Sequence, residues 1–411
     1  MSNVVPPRGM RDILPAQMSR RLAVINSIMD AYRQYGYEVI ETPALESLRF
    51  LQSGDGGDNE KLMYRVMKRG LTEDSLSAAA SPDDLADLGL RYDLTVPLAR
   101  FFASNRAQLP TPFRAIQIGP VWRAERPQRG RYRQFTQCDI DILGEPGIAA
   151  EVELVRATVR ALASIGIADG TLRINDRRIL IDLMTSCGFA PEDVPAALIQ
   201  VDKIDKIGVD GVHEQVAQRW NRDRADAVRE LLTAFADPDI RRNVVANHMQ
   251  SEEGQLGLAA IDETTRLLTA AGGITPLQLS FDPTLVRGMG YYTGTIFEVT
   301  HPAAAGSIAG GGRYDEMIGR ISGTATPACG FSIGFERIME LLDETPIPVR
   351  ETTALLHAPA DLERAIIYAE QMRAQGDRVL TVVRVKNRRA QLERLAAQGI
   401  HHIVDLPDTP S

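Results

Sequence analysis

The sequence has few of the residues that form disulfide scaffolds or metal sites. Only three cysteines occur among 411 residues, and they are widely separated: Cys138, Cys187 and Cys329. This spacing supports neither a disulfide framework nor a CxxC metal site, and the six histidines show no metal-ligand spacing. We therefore expect no protein-bound metal and a reducing, cytoplasmic location.

Long apolar runs and excess positive charge are also absent. No uncharged stretch is long enough to span a membrane, and the first residues, MSNVVPPRGMRD, lack the apolar core of a signal peptide. A net charge of −8 argues against electrostatic binding of nucleic acid by the whole chain, so any RNA contact requires a local basic patch. The length predicts two or three domains of an ordinary globular protein.

One basic patch is conspicuous. The eleven residues from Arg123 to Arg133 hold a single acid, Glu125, and five arginines: Arg123, Arg126, Arg129, Arg131 and Arg133. Alternating apolar residues on either side, 115–118 and 138–142, predict two antiparallel strands joined by a long basic loop. Guanidinium groups suit a polyanion, because their planar fork donates paired hydrogen bonds to phosphate oxygens.

The alternative interpretation is a basic hairpin that is merely exposed to solvent, as most charge runs are. Asp139 and Asp141 argue against it, because they lie on the second predicted strand. Burying carboxylates there without a function would be costly.

Periodicity outlines the rest of the chain. Residues 71–85 predict an exposed loop, residues 150–165 a helix and residues 171–174 a strand. An amphipathic first helix is predicted by apolar residues at alternating spacings of four and three: Met18, Leu22, Ile25, Met29 and Tyr32. Residues 176–273 are helix-rich and contain no chemical motif.

The later part of the chain returns to strands. Residues 277–281 and 295–299 predict strands, and the prolines and charges of residues 343–352 predict a linker. Residues 354–404 then show a β-α-β-α-β pattern, which predicts a small α/β domain.

Short motifs spread along most of the chain resemble one known family, the histidyl-tRNA synthetases of the class II aminoacyl-tRNA synthetases. The matching blocks are RGMRDILP (8–15), YGYEVIETPALE (35–46), LRYDLTVPLARFFA (90–103), VWRAERPQRGRYRQFTQCDIDILG (121–144), QVDKIDKIGVDGV (200–212), LVRGMGYYTGTIFEV (285–299), AGGGRYDEMIGR (309–320) and ACGFSIGFERI (328–338). Their order and spacing together make the resemblance specific. In the family, the 90–103 block is the strand that binds the amino acid.

The resemblance implies an α+β catalytic core, with a mixed, mostly antiparallel sheet and flanking helices, in residues 1–175 and 274–342. It further implies a helical insertion in residues 176–273 and a shortened anticodon-binding-like α/β domain in residues 353–411. The implied reaction is ATP-dependent activation of L-histidine to histidyl-adenylate, followed by transfer to tRNA(His). ATP would bring Mg²⁺ on its phosphates, and no membrane association is implied. In the family, the segments that match the first helix and the strand before Pro43 build a homodimer interface; packing of the helix on its own domain's core is the alternative.

Family resemblance also assigns residues to ATP. Three arginines would be the catalytic residues. Arg123 would bind the α-phosphate, Arg337 would bind the γ-phosphate, and Arg287 would lie between the histidine carboxylate and the α-phosphate. The remaining residues assigned to ATP are Glu125 at the adenine amino group, Arg131, Phe135 stacked under adenine, and Gly334, where the nucleotide approaches closely. Any one arginine is more often a surface residue and a strand phenylalanine more often core, so the assignment depends on the motifs together.

A second group of residues matches the family's histidine site. Asp93, Thr95 and Gln137 would accept the ammonium, and Arg287 would contact the carboxylate. Imidazole has one donor and one acceptor nitrogen, so it needs a partner of each kind; Asp141 would accept its N–H, Tyr292 would donate to the other nitrogen, and Tyr291 would form a wall. A salt bridge on the face of the sheet for Asp141 and plain core packing for the two tyrosines are the alternatives.

The block 310–315, which begins with three glycines, lacks the lysine and hydroxyl of a P-loop and the spacing of a dinucleotide-binding turn. In the family it lines the histidine pocket, where glycine allows the backbone to approach the substrate; the alternative is a tight turn alone.

The sequence departs from the family pattern at several points. Gly290 stands where the family has an acid, Thr136 replaces a bulkier residue, and Asp93 and Asp141 stand in place of glutamates. The C-terminal domain lacks further strands after residue 404. A basic face there could meet RNA or simply be solvated: Arg384, Lys386, Arg388, Arg389 and Arg394.

Two other functions remain compatible with these features. One is a regulatory subunit of ATP phosphoribosyltransferase in histidine biosynthesis, which would resemble the synthetase core. The other is a ligase that activates histidine and passes it to an acceptor other than tRNA. Retention of Arg123, Arg287 and Arg337 argues against the regulatory subunit.

Overall fold

A computed structural model describes residues 4–52, 62–127, 130–287, 290–342 and 352–407. The chain divides into two compact units, Met1–Thr345 and Pro346–Ser411. Arg129 of the basic loop and nearly all of the predicted linker, residues 343–351, lie outside the described residues. The larger unit contains the motif blocks quoted above.

An eight-stranded sheet forms the centre of the larger unit, in the order β1-β5-β6-β11-β10-β9-β7-β8. The β1–β5 and β7–β8 pairs are parallel and the other neighbours are antiparallel, which confirms the predicted mixed, mostly antiparallel sheet. A smaller sheet has the order β2-β4-β3. The strands of this unit are β1 Glu38–Val39, β2 Leu45–Ser47, β3 Arg65–Met67, β4 Ala86–Leu90, β5 Phe113–Trp122, β6 Gln134–Leu143, β7 Thr171–Asp176, β8 Gln278–Phe281, β9 Thr295–Thr300, β10 Ala309–Arg313 and β11 Ala328–Gly334.

The two strands predicted around the arginine loop are β5 and β6. They pair antiparallel from Phe113 opposite Leu143 to Trp122 opposite Gln134, which confirms the predicted hairpin. Every residue of β6 from Gln137 onward is buried, because β6 lies between β5 and β11 and its two faces are covered. Asp139 and Asp141 are therefore buried acids, which rules out a solvent-exposed salt bridge for Asp141.

Helices flank this sheet. Those of the larger unit are α1 Pro15–Arg33, α2 Leu48–Leu51, α3 Glu73–Ala78, α4 Thr95–Asn105, α5 Ala149–Ser164, α6 Arg177–Ser186, α7 Val194–Val201, α8 Ile204–Arg219, α9 Arg222–Ala234, α10 Pro238–His248, α11 Glu252–Ala270, α12 Asp315–Ser322 and α13 Phe335–Leu341. The helix predicted over 150–165 is α5. Helices α6 to α11 occupy the predicted insertion and belong to the same compact unit as the sheet, so a separate module remains a prediction.

The first helix is apolar on two adjacent faces. Val24, Ile28 and Tyr32 are buried against the core, whereas Met18 and Leu22 are 39% and 46% exposed. The predicted amphipathic helix is confirmed; of the five residues that predicted it, Tyr32 is buried, Ile25 and Met29 are half-buried, and Met18 and Leu22 are exposed. Residues at spacings of four and three identify an apolar stripe, and here that stripe lies beside the one that packs on the core.

Two local predictions need correction. Residues 71–85 are not simply a loop: α3 begins after Thr72, whose side chain accepts a hydrogen bond from the Ser75 N–H, and a 3₁₀ helix follows at Pro82–Leu85. The 90–103 segment is also not a strand beyond its first residue, because β4 ends at Leu90 and α4 begins at Thr95. An acidic side chain helps to end the strand there, since the Val96 N–H donates to Asp93 Oδ1.

The smaller unit is a three-stranded parallel sheet in the order β13-β12-β14, with a helix in each crossover. Its elements are β12 Thr352–His357, α14 Leu362–Ala374, β13 Arg378–Val383, α15 Arg388–Ala397 and β14 His402–Asp405. This confirms the predicted β-α-β-α-β pattern. One face of β12 packs on α14 through Leu355, and the other packs towards α15 through Leu356.

Candidate functional site

A cavity opens over the central strands β6, β11 and β10 of the larger unit. Every residue that the sequence assigned to ATP or histidine lines it: Asp93, Thr95, Arg123, Glu125, Arg131, Phe135, Gln137, Asp141, Arg287, Tyr291, Tyr292, Gly334 and Arg337. These residues come from segments more than two hundred positions apart, and the sheet order brings them together. Their individual roles remain predictions.

Buried acids form one part of the cavity wall. Asp93, Asp139 and Asp141 are each less than 5% exposed. Burial raises the pKa of Asp141 to about 7, although a hydrogen bond from the Tyr314 hydroxyl, 2.5 Å from Asp141 Oδ1, opposes the shift. Burial likewise raises the pKa of Asp93 to about 6, and burial together with the charge of Asp141 raises that of Asp139 well above its ordinary value.

Two buried acceptors near these acids have no hydrogen-bond partner among the described residues. They are Asp93 Oδ2 and Gln137 Oε1. The other oxygen of Asp93 is fixed by the Val96 N–H at 3.1 Å, and the Gln137 amide donates to Ser332 Oγ at 3.1 Å. Buried polar atoms are normally paired, so these two acceptors suit a cationic donor that enters the cavity.

Arginines also line the cavity. Arg123 is held by a hydrogen bond from its Nε to the Tyr92 carbonyl at 2.9 Å, and its guanidinium lies 5.1 Å from the centre of the Phe135 ring. Arg287 Nη1 lies 2.8 Å from Glu298 Oε2. Arg337 donates to the Ser307 carbonyl.

Arg337 lacks a carboxylate partner within the described ranges. Burial lowers its pKa, and the charges of Arg131 and Arg287 lower it further. Cations that repel one another at a cavity wall favour an anionic occupant. This wall can therefore receive phosphate oxygens.

The basic loop closes one side of the cavity. Arg131 Nη1 lies 3.3 Å from Glu125 Oε2, and the Arg133 side chain donates to the Glu125 carbonyl at 3.0 Å. Phe135 is half-buried and carries Arg123 above its ring, so it is a cavity residue and not part of the core.

A group of three tyrosines also lines the cavity. The rings of Tyr291 and Tyr292 meet edge to face with their centres 4.9 Å apart, and Tyr291 lies 6.0 Å from Tyr314. All three are buried. Both Tyr291 and Tyr292 also line the cavity, so core packing and a role in the site are compatible.

Glycines on β10 and β11 let these side chains approach the sheet. A Cβ on Gly310 would lie 2.6 Å from the Arg287 guanidinium, and one on Gly330 would lie 2.0 Å from Asp141 Oδ1. The glycine block 310–312 lies within β10 and is not a tight turn. Absence of side chains here is therefore a requirement of the site's geometry.

Several cavity residues were not assigned from the sequence. Asp139 was noticed only as an acid on a strand, and Tyr314, Ser332 and Glu336 were not assigned although they lie in quoted motifs. A pattern of acids at alternate strand positions is the signal for Asp139. Nothing in one sequence indicates that Tyr314, 173 positions away, donates to Asp141.

Glu336 connects the N-terminal segment to the site. It accepts hydrogen bonds from Arg11 and, at 2.7 and 2.8 Å, from Arg21. Burial opposes ionisation, but the Arg21 hydrogen bond and charge hold the pKa of Glu336 below its ordinary value. Arg11 also lies 3.5 Å above the Tyr132 ring, which places residues 8–11 against the basic loop.

Two kinds of feature were not found in the described part of the chain. Among the described residues no group of three His, Cys, Asp or Glu side chains could hold a metal ion. In that same part of the chain, no helix is long and apolar enough to cross a bilayer.

Comparisons with known proteins agree on one family. The family model described as histidyl-tRNA synthetase matches residues 9–338. A histidine–tRNA ligase from Leifsonia xyli subsp. xyli is 48% identical over all of this chain and 97% of its own length. A probable histidine–tRNA ligase from Tropheryma whipplei (strain Twist) is 40% identical over 96% of this chain and 94% of its own.

Solved structures share the fold. Histidyl-tRNA synthetase from Nostoc sp. PCC 7120 has a TM-score of 0.80 at 24% identity, over 98% of this chain and 91% of its own. A Bacillus halodurans structure titled as an ATP phosphoribosyltransferase regulatory subunit/histidyl-tRNA synthetase has a TM-score of 0.79 at 23% identity, over 99% of each chain. At such identities the likeness concerns the fold alone.

Proposed function

The chain belongs to the histidyl-tRNA synthetase family, a class II ligase family, and we propose that its cavity joins L-histidine to ATP and passes the activated histidine to tRNA(His). The observation that supports this most is the arrangement of the cavity. Buried acids with unpaired acceptors and arginines line the same cavity, which suits a substrate whose ammonium needs acceptors and whose carboxylate must meet a triphosphate.

Histidine would bind beside the buried acids. Its ammonium would donate to Asp93 Oδ2 and Gln137 Oε1, the two buried acceptors without partners, with Thr95 beside them. Asp141 would accept the imidazole N–H, and Tyr292 would donate to the other ring nitrogen. An apolar competitor would leave these groups unpaired, which is worth up to about 10⁴- to 10⁵-fold in discrimination.

Activation would take place in the same cavity. The histidine carboxylate attacks the α-phosphorus of ATP, a carboxylate–phosphorus bond forms, and the bond to pyrophosphate breaks. Arg123 and Arg287 would stabilise the negative charge that builds on the α-phosphate, and Arg337 would hold the γ-phosphate. Phe135 would stack on adenine, with Glu125, Arg131 and Gly334 around the nucleotide.

We further propose that Mg²⁺ arrives with ATP, held mainly by its phosphates. The described residues hold no cluster of metal ligands of their own, and no step above depends on a protein-bound ion. Transfer would follow when a hydroxyl of the terminal adenosine of tRNA attacks the histidyl carbonyl. The ester bond then forms and AMP leaves.

A homodimer is the assembly that we propose. The exposed apolar stripe of α1, with Met18 and Leu22, gives that helix a second face that its own core does not cover. Val39 and Leu45, on either side of Pro43, are also exposed, so both segments that the resemblance places in the dimer have apolar surface. Light scattering of the purified protein would test this.

The smaller unit gives less support for RNA binding. Arg388 pairs with Asp405, and Arg389 lies 3.0 Å from Glu393, so these two cations of the predicted basic face are engaged within the unit. Anticodon contact by residues 353–411 remains a prediction. The cytoplasmic location that we propose accords with the three cysteines, which are free and buried.

The regulatory-subunit alternative is not favoured. Relatives at 40–48% identity over nearly their whole length are named histidine–tRNA ligases or probable ones, and Arg123, Arg287 and Arg337 all line the cavity. A ligase with another acceptor would share the first step and differ only in the second.

Histidine-dependent ATP–pyrophosphate exchange, with the other amino acids as controls, tests the first step. Charging of tRNA(His) tests the second. Exchange with histidine but no charging would support the other acceptor, whereas histidine binding without exchange would overturn the proposed reaction.

A further inference from the structure

Arg287 has a single carboxylate partner among the described residues, Glu298 on β9. Its Nη1 lies 2.8 Å from Glu298 Oε2. The family's acid at position 290 is replaced here by glycine, so support for this arginine has to come from another residue. Glu298 is the carboxylate in place to give it.

Glu298 is itself held by the neighbouring strand. Arg173, its register partner on β7, places Nη1 at 3.2 Å from Glu298 Oε1. Arg173 Nε lies 2.6 Å from Asp282 Oδ2. Asp282 in turn accepts from the N–H and hydroxyl of Thr284, at 2.9 and 2.7 Å. A chain of charge-assisted hydrogen bonds of this kind restricts the carboxylate to one position.

The other side of Arg287 faces the sheet. Its guanidinium lies so close to Gly310 that a Cβ there would be 2.6 Å from its central carbon. Its Nε is buried and has no hydrogen-bond partner in the part of the chain that the structure describes. Glu298 therefore fixes one nitrogen and leaves a buried donor for the substrate.

We propose that Glu298, braced by Arg173 and Asp282, is a positioning residue that sets the orientation of Arg287 for adenylate formation. The proposal rests on the function proposed above, in which Arg287 contacts the carboxylate and the α-phosphate. Glu298 itself touches neither substrate. Its removal should therefore reduce the rate of activation and leave histidine affinity nearly unchanged.

The test is Glu298→Gln, an almost isosteric change that removes the charge. We expect kcat of histidine-dependent pyrophosphate exchange to fall by on the order of 10²-fold, since a displacement of about 1 Å costs that much. The dissociation constant for histidine, measured by calorimetry, should stay within about threefold. A kcat within about threefold of the wild type, or a loss confined to KM, would overturn the proposal.

Asp205→Asn is the matched control. Asp205 also approaches Arg173, at 3.4 Å, but its side chain is 74% exposed. Exposed pairs contribute little, so we expect less than about a twofold change. A loss as large as that of Glu298→Gln would show that any charge near Arg173 matters and would overturn the specific role of Glu298.

Two further variants separate positioning from general damage. Arg287→Ala combined with Glu298→Gln should be no slower than Arg287→Ala alone, because the two residues act as one unit. Multiplying losses would overturn the proposal. If Glu298→Gln does not fold, Glu298→Asp is measured instead, because it keeps the charge and moves it. A reduced kcat of pyrophosphate exchange would support the positioning role, and a wild-type kcat would overturn it.

Pyrophosphate exchange by the wild-type protein distinguishes failure of the proposed function from failure of the role given to Glu298. Absence of histidine-dependent exchange in the wild type would overturn the proposed function and this inference together. Normal exchange in both the wild type and Glu298→Gln would overturn the inference alone.

Discussion

The buried acids of the cavity should reduce the stability of the unliganded protein, and Asp141 allows this cost to be measured. Its pKa is raised from 3.8 to about 7, first by burial. A carboxyl whose pKa is higher in the folded state than in the unfolded state binds more protons when folded. Its contribution is therefore most favourable below the unfolded value and is lost as pH rises through 7. Asp141→Asn cannot ionise, so this decrease in the free energy of unfolding with rising pH should be absent from the variant.

The pKa difference sets the magnitude. Each unit corresponds to about 1.4 kcal/mol, so the advantage of asparagine should rise from near zero below pH 4 to about 4 kcal/mol above pH 8. A buried amide with an unpaired donor costs about 1–3 kcal/mol at every pH. This cost shifts the stability difference between the variant and the wild type by the same amount at each pH and leaves its dependence on pH unchanged. Between pH 5 and pH 8, the variant's free energy of unfolding should improve against the wild type by about 2–3 kcal/mol.

Urea unfolding of both proteins at pH 5, 6.5 and 8, without ligands, measures this slope. Asparagine can still accept the Tyr314 hydrogen bond, so the local geometry is kept. Asp30→Asn is the control, because Asp30 is 70% exposed and its ion pair is with Arg33 on the same helix; its effect should stay within about 0.5 kcal/mol at each pH. A difference between Asp141→Asn and the wild type that is flat with pH, or that shrinks as pH rises, would refute the reasoning.

Three other substitutions test separate parts of the site. Arg287→Ala should reduce pyrophosphate exchange by about 10²- to 10³-fold and lower the free energy of unfolding by no more than about 1–3 kcal/mol, because Glu298 keeps Arg173 as a partner; unaltered exchange would contradict its role. Gly330→Ala should lower kcat/KM for histidine by about 10²-fold, because the methyl group would displace Asp141; wild-type kinetics would show that the carboxylate position is unimportant. Glu336→Gln should lower the free energy of unfolding by about 1–3 kcal/mol, since Arg21 loses its carboxylate partner; an unchanged urea midpoint would contradict it.

The sequence was sufficient to predict the elements whose signals lie in residues close together along the chain. The β5–β6 hairpin was predictable because alternating apolar residues flank a loop rich in arginine, proline and glycine. The β-α-β-α-β unit was predictable because each helix ends near a glycine, Gly376 or Gly399, whose φ is positive. These signals lie within a few residues of the elements that they define.

Two features could not be predicted from one sequence. The first is a contact that depends on the order of the strands in the sheet, and the second is which apolar face of a helix packs on the core. Tyr314 meets Asp141 because β11 lies between β6 and β10 and its glycine at position 330 leaves room between them. No local pattern encodes that order. Likewise, the periodicity of α1 shows an apolar stripe at Met18 and Leu22 but cannot say that the core takes the adjacent one.

Arg131 pairs with Glu125, but the buried aspartates of the cavity have no such partner in the part of the chain that the structure describes. Within the described residues no ion pair joins Asp93, Asp139 or Asp141 to the three arginines proposed as catalytic. Each arginine is tied to the scaffold instead: Arg123 to the Tyr92 carbonyl, Arg287 to Glu298 and Arg337 to the Ser307 carbonyl.

The acids are also held by the scaffold, through the Tyr314 hydroxyl, the Val96 N–H and the Gln137 amide. Both groups of residues therefore keep unused hydrogen-bonding capacity in the cavity. Histidine bound beside ATP would use both, because its ammonium can donate to the acids while its carboxylate and the triphosphate accept from the arginines. A neutral or singly charged molecule would leave one group unpaired, so selectivity for such a pair of substrates follows from how the charges are anchored as much as from which residues are present.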